Sequence, residues 1–286
     1  MWQAKALGVL CVDSHQNTGA FTEDDVQFLT IMAHHMATTL VNHQLQEDLR
    51  QHTKLLDRVL TSFSPNIRGE ILERARHGQL CSGGKKSDVT ILYADIRNFT
   101  QMSAGQDAED VVNILNVYFP ILMKTIFAYD GIIDKFIGDA ILVVFGSPEP
   151  DARQYQKATQ AAWEMQAAIH TLNAARKGRG DVICNIGIGI HCGEVLHGFI
   201  GTAEQAEFTV IGDTVNRATR YCDGAGAGDI VISPQLYQRV WDMIDEERTV
   251  IQTKHEGELP AYRVKNLHTQ HNLKEGQITQ AGVTVG

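Results

Sequence analysis

Residues 132–146 read Ile-Ile-Asp-Lys-Phe-Ile-Gly-Asp-Ala-Ile-Leu-Val-Val-Phe-Gly, and their pattern decides the fold. Two runs rich in Ile, Val and Phe flank Gly138-Asp139, the signature of a tight β-hairpin. Lys135 falls inside the first strand and Asp139 at the turn. A strand does not bury an ammonium group without a partner, because desolvating the charge is costly. A second strand-like run, Val89 to Ala94, ends on Asp95. Two carboxylates at two strand ends are placed to face each other. Bare and about 4 Å apart, they would repel by roughly 1–4 kcal/mol at effective dielectrics of about 80 to 20. A divalent cation removes that repulsion, and oxygen-only ligands suit magnesium or manganese.

The bulk composition sets limits around this hairpin. With 286 residues, 43% hydrophobic and 21% charged, the chain has enough apolar side chains for one good-sized domain and a smaller piece. A net charge of −9 argues against a non-specific nucleic-acid binder, which would present a basic face. It leaves a nucleotide substrate open, since a few local cations and a metal suffice. Cys11, Cys81, Cys184, Cys192 and Cys222 show no paired spacing and no CxxC, as expected of free thiols in a reducing, cytoplasmic setting. No signal peptide and no apolar run of about 18 residues is visible, so no membrane span is expected for this chain.

Working outward toward the N-terminus, Lys5 to Asp13 reads as a strand and Phe21-Thr22-Glu23-Asp24-Asp25 as a helix start. Thr22 can cap that helix, and the acids favour the positive end of its dipole. Strand, Phe-Thr-Glu-Asp-Asp and long helix together resemble the last part of a GAF sensor domain, over residues 1–44. Beyond it Leu45, Leu49, His52, Leu56, Val59 and Phe63 alternate spacings of four and three. That is an a/d heptad seam, and residues 45–83 are expected to form a coiled-coil and helical linker. Gly83-Gly84-Lys85-Lys86-Ser87 lacks the G-x-x-x-x-G-K-[ST] spacing of a phosphate loop and is expected to be a solvated linker.

A globular domain is expected over residues 84–267. Its helices are predicted at Asp110–Phe127, Asp151–Ala175, Val215–Cys222 and Pro234–Val240. Strands are predicted at Val89–Ala94, across the hairpin, at Val182–Ile190, Val195–Gly201, Phe208–Ile211, Asp229–Ile232 and Glu258–Val264. The order β-α-β-β-α-β with extra C-terminal strands indicates an α+β, ferredoxin-like α/β sandwich. The polar residues 268–286 are expected to be a disordered tail.

Three ordered motifs then carry a resemblance. Ala-Asp-Ile-Arg-Asn-Phe-Thr (94–100), Asp-Lys-Phe-Ile-Gly-Asp-Ala (134–140) and Phe-Thr-Val-Ile-Gly-Asp-Thr-Val-Asn-Arg-Ala-Thr-Arg (208–220) resemble the class III nucleotidyl cyclase catalytic domain. The resemblance implies an adenylate cyclase in which two metal ions, magnesium or manganese, are held by Asp95, Asp139 and the main-chain carbonyl of Ile96. It implies phosphate binding by Phe99, Thr100 and Lys254, and base recognition by Lys135 and Thr209. Asn216 and Arg220, four apart and so on one helix face, are implied to orient the ribose and to neutralise charge on the α-phosphate. In this family the metal carboxylates come from one protomer and the base-reading pair, the Asn and the Arg from the other, so a homodimer acting on ATP is expected.

Lys135 suits adenine N1, an acceptor, whereas guanine N1 is a donor. Thr209 stands where adenylate-specific members commonly carry Asp, which places the chain with the subgroup often stimulated by bicarbonate. The alternatives are a guanylate cyclase, which typically carries Glu and Cys at those two positions, and an inactive cyclase-like dimerisation module. A diguanylate cyclase is excluded by the turn sequence Ile137-Gly138-Asp139-Ala140.

Overall fold

The computed structural model describes residues 8–13, 22–60, 83–201, 206–253 and 257–268. It separates into two compact units, Met1–Arg58 and Val59–Gly286.

In the first unit a single helix, α1 (Glu23–Leu60), runs for 38 residues. Its start is a reciprocal cap. The Thr22 main-chain N–H donates to Asp25 Oδ2 at 2.8 Å and the Thr22 hydroxyl to the same oxygen at 2.6 Å, while Asp25 N–H returns a bond to Thr22 Oγ1 at 3.4 Å. Two orphan donors of the first turn are satisfied this way. Residues 8–13 form no strand, contrary to expectation. Their apolar run makes no ladder among the described residues, and a strand exists only through its partner. Leu45 and Leu49 of the heptad seam are 61% and 71% exposed, while Phe63 lies outside the described residues.

The second unit is an α+β sandwich on one eight-stranded sheet. Its elements are β1 (Gly83–Ile96), α2 (Phe99–Ser103), α3 (Ala108–Ala128), β2 (Ile132–Ile137), β3 (Ala140–Phe145), α4 (Gln154–Lys177) and β4 (Ile186–Gly201). They continue as β5 (Ala206–Ile211), α5 (Asp213–Asp223), β6 (Ile230–Ile232), α6 (Pro234–Val240), β7 (Ile244–Thr253) and β8 (Gly257–Leu267). Strand order is β2-β3-β1-β4-β6-β8-β7, with β5 paired to β4. The β2-β3-β1-β4 portion with α3 and α4 is the expected ferredoxin-like arrangement.

Strand periodicity sorts the two faces. Leu92, Ala94 and Ile96 of β1, with Ile141, Val143 and Phe145 of β3, join Tyr118, Leu122 and Ile126 of α3 and Met165 and Ile169 of α4 in the main core. Val89 and Ile91, one residue out of phase, pack with Leu142, Val144, Val195 and Val210 against Ala218 of α5. Asp95 shares the phase of Val89 and Ile91 and so lies on the α5 side.

Helix α3 is the one helix among the described residues long and apolar enough to cross a membrane. Its Ile114, Tyr118, Leu122 and Ile126 are buried in the main core. Three expectations are corrected. Residues 83–87 are not linker but the first part of β1, paired to β4 from Gly83↔Phe199 onward, because Gly84 leaves room for Leu196 and Lys86 finds Glu194 at 2.8 Å. The two strands expected around Cys192-Gly193-Glu194 are one continuous β4, since β1 pairs along its whole length. Strand β7 was not expected; its burial pattern has only two buried positions in ten, so it lacks the apolar alternation that marks a strand in sequence.

Candidate active site

The hairpin sits at the centre of the site. Strands β2 and β3 are joined by Gly138-Asp139, a two-residue turn in which Gly138 takes a φ of +63°, a left-handed value that only glycine adopts freely. Asp95 pairs with Ala140 across β1 and β3, which sets it beside the turn. The two predicted carboxylates are brought together: Asp139 lies close enough to Asp95 to act on its carboxyl. Burial pushes the Asp95 carboxyl up to about 6, and the Asp139 contact pushes the same way. The Arg97 charge and the Ile96 main chain oppose the rise. An acid pair that close needs either a shared proton or a cation. The donor set therefore fits divalent cations: two carboxylates whose ligand atoms are all oxygen. Among the described residues no group of three or more His, Cys, Asp or Glu side chains gathers to hold a metal, at this site or at any other.

Arg97, given no role from the sequence, holds Asp95 from behind. Its Nη2 is 2.8 Å from Asp95 Oδ2 and its Nε donates to the Asp95 carbonyl at 3.4 Å. Its Nη1 donates to the carbonyls of Cys222 and Ala225 at 3.4 and 3.3 Å. Those carbonyls end α5, where main-chain acceptors lack helical partners and a cation is favoured. One guanidinium thus ties the Asp95 carboxylate to the helix carrying Asn216 and Arg220. Asn216 is exposed and Arg220 half-buried on α5.

A track of glycines lets α5 lie against the sheet. A Cβ on Gly189 would come within 2.0 Å of the Cys222 main-chain nitrogen, and one on Gly187 within 2.8 Å of Arg97 Nε. Between Gly189 and Gly193 stands His191, buried beside the Tyr221 ring at a centroid distance of 5.8 Å, with no partner for Nδ1. Burial pushes its pKa down to about 4, and Arg217 adds to the fall.

Lys135 and Thr209 also meet, through a third residue. The β2–β3 ladder steps from Ile133↔Val143 to Lys135↔Leu142, so Asp134 is the extra residue of a β-bulge. A bulge re-aims side chains that a regular strand would send to opposite faces. Asp134, its side chain 3% exposed, is 3.5 Å from Lys135 Nζ. Thr209 Oγ1 donates to Asp134 Oδ2 at 3.0 Å and the Val210 N–H to Oδ1 at 3.2 Å. Burial raises the Asp134 pKa, and the Thr209 hydrogen bond and Lys135 charge oppose the rise.

Near the acids, Asn98 adopts a left-handed φ of 60° at the start of α2. The first N–H groups of a helix have no intrahelical partner, so Phe99 and Thr100 sit where main-chain amides are available. The Phe99 side chain packs on the main core and Thr100 is exposed. Lys254 lies outside the described residues. A cleft of about 800 Å³ between α4 and β8, lined by Trp163, His170 and Arg263 among others, contains none of these site residues.

A mostly antiparallel sheet with two acids gathered at its edge hairpin, a Lys-Thr pair nearby and an Asn/Arg helix defines the class of protein. The sequence profile of the adenylate and guanylate cyclase catalytic domain matches residues 82–273, and the chain belongs to that family. It is 33% identical over 135 residues to Adenylate cyclase 1 of Rhizobium meliloti (strain 1021), a match covering 47% of this chain and 20% of that protein. The chain therefore spans about a fifth of that relative's length. Among solved structures, the guanylyl cyclase Cya2 superposes with a TM-score of 0.63 at 33% identity, over 66% of this chain and 98% of that one. The adenylyl cyclase CyaB from P. aeruginosa gives 0.60 at 29% identity, over 64% and 96%.

Proposed function

We propose that this chain is an adenylate cyclase, forming 3′,5′-cyclic AMP and pyrophosphate from ATP at sites shared between two copies of itself. The observation that carries the reading is the meeting of Lys135 and Thr209 on one buried carboxylate in the hairpin that also bears Asp139. Adenine presents an acceptor at N1 to the lysine; guanine presents a donor. In the reaction the ribose 3′-oxygen attacks the α-phosphorus in line as the bond to the bridging oxygen of pyrophosphate breaks, a transfer governed by positioning and charge stabilisation. Asp95, Asp139 and the Ile96 carbonyl would hold two divalent cations, magnesium or manganese, whose chemistry is to acidify the hydroxyl and stabilise the leaving group.

Phe99 and Thr100 offer main-chain amides to the β- and γ-phosphates, and Lys254 adds a cation. Asn216 orients the ribose, and Arg220 meets the charge that grows on the α-phosphate. Helix α5 is anchored through Arg97 to its own Asp95, and Asn216 and Arg220 on it serve a second copy's acids. A homodimer then has two equivalent sites. The exposed Leu45 and Leu49 of α1 support a coiled coil leading into the catalytic domain, and the GAF-like character of residues 1–44 supports a sensor upstream. Thr209 is the sole support for a bicarbonate response.

Related structures support a nucleotide ligand. One, from Catenaria anguillulae, is a guanylate cyclase domain in complex with GTP, and another is a rhodopsin-guanylyl cyclase with converted specificity in complex with ATPalphaS; each shares 28% identity at a TM-score of 0.58. The likeness to Cya2 favours guanylate cyclase as the second reading. Exchanging Lys135→Glu together with Thr209→Cys separates the two. Preference is expected to move toward GTP, measured as kcat/KM for each nucleotide. An unchanged ATP preference would refute the assignment of the pair.

A further inference from the structure

Asp134 belongs to none of the roles above, yet three donors converge on it. A carboxylate only accepts hydrogen bonds. With Asp134 Oδ2 at 3.0 Å, the single proton of the Thr209 hydroxyl is committed to it. What Thr209 still presents is lone pairs. The Val210 N–H is committed to Oδ1 in the same way, which prevents the carboxylate from turning. Lys135 Nζ, 3.5 Å from Oδ2, sits beside that hydroxyl and is a donor only. The pair therefore displays an acceptor next to a donor.

We propose that Asp134 is the positioning residue that sets base selectivity, by fixing the Thr209 hydroxyl as an acceptor for the exocyclic amino group of adenine beside the Lys135 donor for N1. This rests on Lys135 and Thr209 being the base-recognising pair. Guanine inverts both partners, with an oxygen where adenine has its amino group and an N–H at N1. A threonine hydroxyl alone is not selective, because it can rotate to donate or to accept. The buried acid behind it removes that freedom.

The isosteric change Asp134→Asn tests this. The Val210 N–H keeps the amide oxygen toward it, so the amide NH₂ takes the place of Oδ2 and donates to Thr209. The hydroxyl proton is then released to point at the base. The kcat/KM ratio for ATP over GTP is expected to fall roughly 10- to 100-fold, the scale of one or two base-edge hydrogen bonds, with GTP turnover kept or raised. Thr209→Ser should hold the ratio and Thr209→Val should lose it. In the Thr209→Val background Asp134→Asn should move the ratio no further, since both act through one hydroxyl. Equal losses for ATP and GTP in Asp134→Asn would overturn the proposal by reducing Asp134 to a structural role. If Asp134→Asn does not fold, an unchanged ratio in Thr209→Val overturns it instead. A wild-type enzyme that prefers GTP would sink the underlying base-pair reading, which is a separate outcome.

Discussion

His191 shows how one buried side chain can make stability depend on pH. Its pKa is pushed down to about 4 from an unperturbed value near 6.5. Between those values the unfolded chain binds a proton that the native protein does not. Stability therefore rises with pH through this window and is fully present above about 6.5. The shift corresponds to up to roughly 3 kcal/mol lost on acidification to pH 4. Thermal melts of His191→Leu should show a smaller drop between pH 7 and pH 5 than wild type; parallel pH slopes would contradict it. Arg97 is the second case. Removing it by Arg97→Ala leaves Asp95 and Asp139 facing each other and takes the end-contacts from α5. The metal-free protein should lose on the order of 2 kcal/mol. Manganese should then raise the melting temperature more in Arg97→Ala than in wild type, because a cation restores the missing counter-charge. An equal metal-induced shift in both proteins would be evidence against that role.

At the scale of elements, close approach of α5 to β4 is what holds Asn216 and Arg220 in place. Gly189→Ala puts a methyl group 2.0 Å from the Cys222 main-chain nitrogen, an atom that cannot move aside without the helix. Destabilisation of about 3 kcal/mol, typical of overpacking against backbone, is expected in denaturant melts, with turnover falling further than stability alone explains. A variant as stable and active as wild type would show that the helix does not depend on this contact.

Elements were also where the sequence was most and least legible. The hairpin was readable because Gly138-Asp139 interrupts two β-branched runs, and the start of α1 because Thr22 and Asp25 stand at capping distance. Strand β4 was misread as two because Gly193 looks like a turn, when its lack of a side chain makes room for Thr214. Residues 83–87 looked like linker because their pairing with β4 is a long-range event. The roles of Arg97 and Asp134 were hidden for the same reason. Arg97 acts on residues 222 and 225, and Asp134 depends on a bulge that no local pattern announces.

For the whole molecule, the proposed reaction assigns its groups to two half-sites. The acids at the hairpin mouth and the Asn216–Arg220 face of α5 belong to one chain, yet Arg97 spans them by gripping the far end of α5. Composite sites follow if each half serves a different copy. The direct measurement is complementation between two inactive variants. Asp95→Ala and Arg220→Ala, each purified alone, should make no cyclic AMP from ATP with manganese. Co-expressed, their mixed dimers should contain one site with all groups present and recover activity toward half that of wild type. Mixed dimers that are shown to form and yet stay inactive would contradict the shared two-metal site.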